Sequence, residues 1–195
     1  MHETWDNQET VETLYDETED AMAVLHIPAE GNTLREMSHI AGYLQRRGIK
    51  YERWEAQIAL NDGASEAEIL AAYAADVQAL MKEGGYVVAD VMNVHDGTPD
   101  VTKLRDKFLR EHTHVEDEVR FFVDGSALFW FNTDEDVFSV LLEKGDLIRI
   151  PAHMKHWSDL GERPRVKAIR LFIDKAGWVP LYTESGVDQR YNPTY

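Results

Sequence analysis

Residues 111–122 read EHTHVEDEVRFF: two histidines around one threonine, then three carboxylates, before the chain turns apolar. In an extended strand, side chains two apart share a face, so the imidazoles of His112 and His114 can converge on one point. Glu118 has the same parity, but a straight strand would carry it roughly 13 Å beyond His114. It joins them only if the chain bends at Val115, Glu116 and Asp117. Glu116 also has that parity, so parity does not choose between the two carboxylates. A second stretch, GDLIRIPAHMKHWSD at 145–159, starts a strand at a glycine and sets His156 beside a tryptophan after a proline. Three imidazoles with one carboxylate make a nitrogen–oxygen set suited to a divalent first-row metal: Fe, Ni, Mn, Co or Zn. On an octahedral ion, four protein ligands leave two positions open. That suits chemistry on a chelating substrate better than a closed structural site.

The bulk composition narrows the classes that could use such a set. The chain has 195 residues, 44% hydrophobic and 29% charged, as expected of one globular domain. Its formal net charge of −16 argues against binding nucleic acid through a basic face. Acidic runs such as DETED (Asp16 to Asp20) read as solvated faces. No apolar run approaches the length of a membrane span, and the acidic N-terminus is unlike a secretory signal. Cysteine is absent, which removes thiolate ligands, thiol nucleophiles and disulfides and is compatible with a cytoplasmic location. The expected partners are a small molecule and O₂, with neither nucleic acid nor membrane, and the chain is expected to act as a monomer.

Helices are expected first and strands after them. TLRE at 33–36 fits a capping box, with Met37, Ile40 and Leu44 on one face and a stop near Gly48. SEAE at 65–68 fits another, opening a helix through Ile69, Tyr73, Val77 and Leu80 that ends at Gly84 and Gly85. From about residue 86 come short β-branched and aromatic runs: YVVADVMNV, EVRFFV, SALFWFN, VFSVLLE, DLIRI and RVKAIRLFI. Turn clusters HDGTPD, DG, NTDED, EKGD and DLGERP separate them, which predicts an antiparallel sandwich or barrel.

Residues 112–125 match the first cupin motif, H-x-H-x3-E-x6-G, and residues 145–156 match the second, G-x5-P-x4-H. More narrowly, FLREHTHVEDEVRFFVDG, LLEKGDLIRIPAHMKHW and KAIRLFIDKAGWV resemble the acireductone dioxygenase family of methionine salvage. The resemblance runs over about 85–180. It implies a mainly β fold, a cupin double-stranded β-helix (jelly-roll barrel) with α-helices packed from the N-terminal half. The expected organisation is one cupin domain over 1–195: a helix-containing region 1–85, a metal-binding barrel 86–180 and a C-terminal tail 181–195. It implies that His112, His114, Glu118 and His156 bind one Fe(II) or Ni(II) per chain, which selects Glu118 over Glu116 by resemblance and not by spacing.

The resemblance also bears on residues that composition alone leaves as structure. Arg120 shares the parity of Glu118 and is expected to hold an anionic enediolate, the plainer reading being a pair with a neighbouring acid. Phe108 and Trp178 are expected to line an apolar pocket for a methylthio tail, though composition alone makes them core. Trp157 reads as packing behind His156. The second motif usually carries glycine where this chain has His153, read here as an exposed loop histidine. The direction of Arg170 is left open, because residues 165–173 do not alternate cleanly. His2, His26, His39 and His95 receive no role.

The resemblance implies oxidative cleavage of the acireductone 1,2-dihydroxy-3-keto-5-methylthiopentene by O₂. An Fe(II) form would yield formate and 4-methylthio-2-oxobutanoate, and a Ni(II) form formate, carbon monoxide and methylthiopropionate; the ligand set does not distinguish them. Two rival readings are another metal-dependent cupin (an oxalate-degrading enzyme or a sugar isomerase) and a metal-bearing binding protein without turnover. A phosphosugar site would want several inward cations, and only Arg120 lies near the motif.

Overall fold

The computed structural model describes residues 23–54, 60, 63–174 and 179–191. The Asp16–Asp20 run, His2 and Trp178 lie outside the described residues. Among the described residues, eleven strands make two antiparallel sheets that share one long strand, β6 (Glu118–Asn132). Its first half pairs with β8 (Asp146–Ile150) and β10 (Arg165–Phe172), and β10 in turn pairs with β4 (Val88–His95). Its second half pairs with β7 (Val137–Glu143) and β9 (Lys155–Asp159). Beyond β9 lie β5 (His112–Thr113) and β11 (Leu181–Tyr182); beyond β7 lie β1 (Val24–Ile27) and β2 (Asn32–Leu34). The strand β3 (Lys50–Arg53) borders β8.

The mainly β fold is as expected, but among the described residues the ladders do not close into a ring. They run outward from β6 to four edges, at β2, β3, β4 and β11. The core between the two sheets does what ring closure would do, joining Phe129, Phe131, Phe138 and Val140 to Met92, Phe122, Ile148, Val166 and Ala168.

β6 also corrects the expected turn at Asp124-Gly125. The chain does not reverse there. The ladder to β10 shifts register at Lys167/Ala168, and Gly125 has φ +70°. A Cβ at Gly125 would lie 1.6 Å from the Arg165 carbonyl oxygen, so only glycine lets β10 approach while the strand bends from one sheet into the other. Dipeptide chemistry could not separate a bulge from a turn, because both ask for the same positive φ.

Three helical expectations need revision. Thr33 lies in β2, and the helix α1 (Met37–Gln45) starts after Glu36, which makes no side-chain cap. Pairing of Thr33 with His26 in the β1–β2 hairpin outweighed the local capping signal. Met37 is accordingly exposed, while Ile40 and Leu44 are buried. The Ser65–Glu68 capping box is present. The helix it opens divides at Tyr73 into α2 (Glu66–Ala72) and α3 (Ala74–Gly84), ending at Gly85 with φ +72°. Tyr73 sits at φ −104°, ψ 18°, with its ring edge-on to Phe121 at 4.9 Å. The apolar face survives the break, since Ile69, Tyr73, Val77 and Leu80 all pack against the outer face of β6, β8 and β10. The third revision is an unexpected helix, α4 (Val101–Phe108), which lays Val101, Leu104 and Phe108 on the central core. Residues 188–191 form the short helix α5 (Asp188–Tyr191), whose Tyr191 covers the stacked pair Trp130–Trp157. No described helix is long and apolar enough to cross a membrane.

Candidate metal centre

β5 and β9 lie side by side, with His112 directly opposite His156. His114 follows two residues on, so all three imidazoles meet on one face, with ring centroids 4.6–5.3 Å apart. One ring nitrogen from each lies within 4.8 Å of the others, and all three residues are buried. His156 owes its place to strand alternation: its neighbour Trp157 points the other way, stacked on Trp130 at 5.8 Å.

Backbone carbonyls decide which nitrogen faces the centre. The Nδ1 of His112 lies 2.7 Å from the Arg110 carbonyl, that of His156 2.9 Å from Met154, and that of His114 3.4 Å from Val179. A carbonyl only accepts, so each Nδ1 carries the proton and donates. Each Nε2 is then left with its lone pair, the tautomer a metal needs. Burial first, and the neighbouring His156 second, push the His112 pKa down to about 4, which keeps that ring neutral.

The bend after His114 brings Glu118 back to the imidazoles. Its Oε2 lies 3.1 Å from His114 Nε2 and 3.2 Å from His156 Nε2. The adjacent acids shape the bend. Asp117 accepts from the Ala152 amide at 2.9 Å, while Glu116 accepts from the Ile173 and Asp174 amides at the end of β10. Glu116, the competing carboxylate by parity, is thus committed elsewhere. Burial alone would push Glu118 up, but the adjacent Arg120 guanidinium favours the ionised form, and its carboxyl lies well below the usual range.

Arg120 is inward and buried, as its parity predicts, and its partner is Glu118 itself. Its Nε donates to Glu118 Oε1 at 2.5 Å, so Oε1 is engaged and Oε2 faces the imidazoles. The guanidinium carbon stands 5.7 Å from the centre of the Phe108 ring and 5.3 Å from that of Phe129, with Nη1 3.4 Å from Met92 Sδ. The half-buried Phe108 therefore flanks Arg120, close to the ligand cluster. Arg170, left open by the sequence, pairs across the sheet with Arg120 on one side and Asp90 on the other. It shares the inner face of β10 with Ala168 and Val166 and holds Asp90 by two bonds, of 2.8 and 2.7 Å. His153 is exposed with φ +65°, the left-handed region where the motif usually has glycine. Its amide donates to the His114 carbonyl at 2.8 Å.

Sequence reasoning missed the carbonyls that orient the imidazoles and the Asp90–Arg170 pair. Arg110 and Met154 each sit two residues before their histidine, a spacing that could have been noticed. Val179 left no such signal.

The donor set can do one thing well. With every Nδ1–H directed outward, two imidazole lone pairs and a carboxylate oxygen face one another at 3.1 and 3.2 Å. A divalent cation would turn that repulsion into attraction, and the four donors fit one.

Comparison with known proteins agrees with this geometry. The model of the ARD/ARD' family matches residues 29–180. A protein of Picosynechococcus sp. named acireductone dioxygenase is 50% identical over 171 residues, covering 87% of this chain and 97% of its own. One of the same name from Pseudomonas savastanoi pv. phaseolicola is 41% identical over 174 residues, covering 88% and 96%. Among solved structures, an acireductone dioxygenase from Bacillus anthracis, described with a cadmium ion in its active centre, superposes with a TM-score of 0.77. It is 33% identical, and the match covers 83% of this chain and 99% of that one. The chain therefore belongs to the ARD/ARD' family and is, like these relatives, a dioxygenase.

Proposed function

We propose that this chain is an acireductone dioxygenase, cleaving 1,2-dihydroxy-3-keto-5-methylthiopentene with O₂. One Fe(II) or Ni(II) would be held by His112, His114, Glu118 and His156. The observation that carries the reading is the tautomeric arrangement: three Nδ1–H groups tied to carbonyls and the Nε2 lone pairs gathered beside Glu118 Oε2. A cadmium ion in the active centre of the Bacillus anthracis relative supports it. When bound, the ion supplies a Lewis acid and a template that gathers an electron-rich enediolate for attack by O₂.

The side chains around it have separable tasks. Arg120 engages one oxygen of Glu118 and would leave the other to the ion. Its guanidinium lies in a dry setting beside Phe108 and Phe129, where it would hold an anionic substrate oxygen more strongly than in water. Phe108 offers an apolar surface to a thioether tail, and Trp178 is proposed to complete it on the strength of the sequence resemblance alone. We place all of this in one cupin domain, because strands from the N-terminal region enter both sheets. The absence of cysteine suits a reducing compartment, and we place the enzyme in the cytoplasm.

Metal-free protein reloaded separately with Fe(II) or Ni(II) tests the reading by aerobic loss of acireductone ultraviolet absorbance, with formate and carbon monoxide assayed. Turnover should require metal and fall more than about 100-fold in His156→Ala, a larger loss than an outer-shell change produces. We expect carbon monoxide from the nickel form alone. No acceleration over spontaneous oxidation with either ion would overturn the assignment.

A further inference from the structure

Glu111 is 2% exposed, is charged, and has no part in the chemistry above. Its carboxylate accepts from Asn132 Nδ2 at 2.6 Å and from the hydroxyls of Thr183 and Ser185. Its carbonyl accepts from the Thr183 amide at 3.1 Å. A buried carboxylate satisfied by three side-chain donors is a strong anchor, since the carboxylate itself would be costly to leave unpaired. What it anchors is the segment after residue 178. That segment adds only two residues to the sheet, Leu181 opposite Thr113 and Tyr182 opposite His112.

The three imidazoles are not supported alike. His112 and His156 donate to carbonyls two residues behind them, in the residues that lead into their own strands. His114 donates to Val179, 65 residues away, over the longest of the three distances, 3.4 Å. That carbonyl lies just before the stretch that Glu111 grips. Two residues of ladder are a weak hold on the stretch before α5, whose Tyr191 packs on Trp130 several residues further on, and a slip in that stretch would free the His114 ring to turn.

We propose that Glu111 is a positioning residue for the metal centre. By clasping Thr183 and Ser185 it holds the Val179 carbonyl where it orients His114. The proposal rests on the metal-site reading above, and it assigns the C-terminal segment to the site as the support for one ligand.

The experiment uses the full chain loaded with Zn(II), which is diamagnetic. Affinity is read by chelator competition, and the imidazole Nδ1–H resonances by NMR exchange with water. Glu111→Ala and the pair Thr183→Val/Ser185→Ala cut the clasp from its two sides. Each should weaken Zn(II) binding about 10–100-fold, the usual cost of losing outer-shell support. Combined, they should cost no more than either does alone. The His114 Nδ1–H should exchange faster, while those of His112 and His156 stay protected. Wild-type affinity and protection in both variants would overturn the proposal. So would equal loss of protection at all three histidines, which would make Glu111 a general structural residue. If His114→Ala binds Zn(II) as well as wild type does, the metal-site reading itself fails and this proposal falls with it.

Discussion

Asp136 and Glu118 each hold an arginine, and they differ in what else surrounds them. Asp136 binds Arg47 by two bonds, of 3.1 and 2.7 Å, and also accepts from the Tyr43 hydroxyl and from Thr133 Oγ1 at 2.8 Å. Every partner there is a donor, and burial, which would raise its pKa, is outweighed by them. Glu118 binds Arg120, but its other close neighbours are imidazole nitrogens whose protons have been drawn away to backbone carbonyls. One network is complete with protein alone. The other is an acceptor cluster that the fold holds together and a cation completes. A closed network serves to pin α1 to the β6–β7 turn; an open one is where chemistry can enter.

The contrast can be broken by measurement, beginning with Arg120. In metal-free protein Arg120→Ala removes the guanidinium paired with a fully buried Glu118, and we expect a loss of about 3–5 kcal/mol in urea unfolding. A loss no larger than that of Arg47→Ala would mean that the two networks are equivalent. The next effect is pH-dependent. His112 titrates at about 4 in the folded chain against 6.5 unfolded, so the unfolded state binds more protons between those values. Its contribution is intact above pH 6.5 and lost as pH falls towards 4, about 3 kcal/mol in all at 1.36 kcal/mol per unit. Urea midpoints of the metal-free protein should show that slope, and His112→Gln should flatten it; an unchanged slope would place the titration elsewhere. The same depression lowers the pH at which protons displace metal from this ring, below the value near 6 that three ordinary histidines would give. The smallest effect belongs to the closed network. Asp136→Asn should cost about 1–3 kcal/mol of stability and leave Zn(II) affinity unchanged. A shift in affinity would mean that the two networks are coupled.

Much of the site was legible because strand periodicity is simple. Parity placed His112 and His114 on one face and turned Arg120 inward, and the histidine after a strand and a proline proved to be His156, opposite His112. Parity failed at the acids, because the bend at 115–117 depends on where Asp117 and Glu116 find amide donors, on β9's approach and at the end of β10. The fold was less legible than the site. The strands β2, β3, β9 and β11 and the helix α4 escaped notice because each is short and stabilised by what it packs against. The Asp124-Gly125 pair was misread because a bulge inside a strand uses the residues of a turn.

By itself the sequence determined the residue types that suit a divalent metal, their alternation on strands, the Ser65–Glu68 cap and the family to which the chain belongs. Those rest on local geometry or on matched motifs, and neither needs a distant partner. Only the tertiary structure decided that β6 passes from one sheet to the other, that Glu116 accepts from the amides at the end of β10, and that His114 takes its carbonyl from Val179. Each is a contact between segments far apart in the chain. Such contacts are selected by packing and by the need of every buried polar group for a partner, which no window of sequence contains.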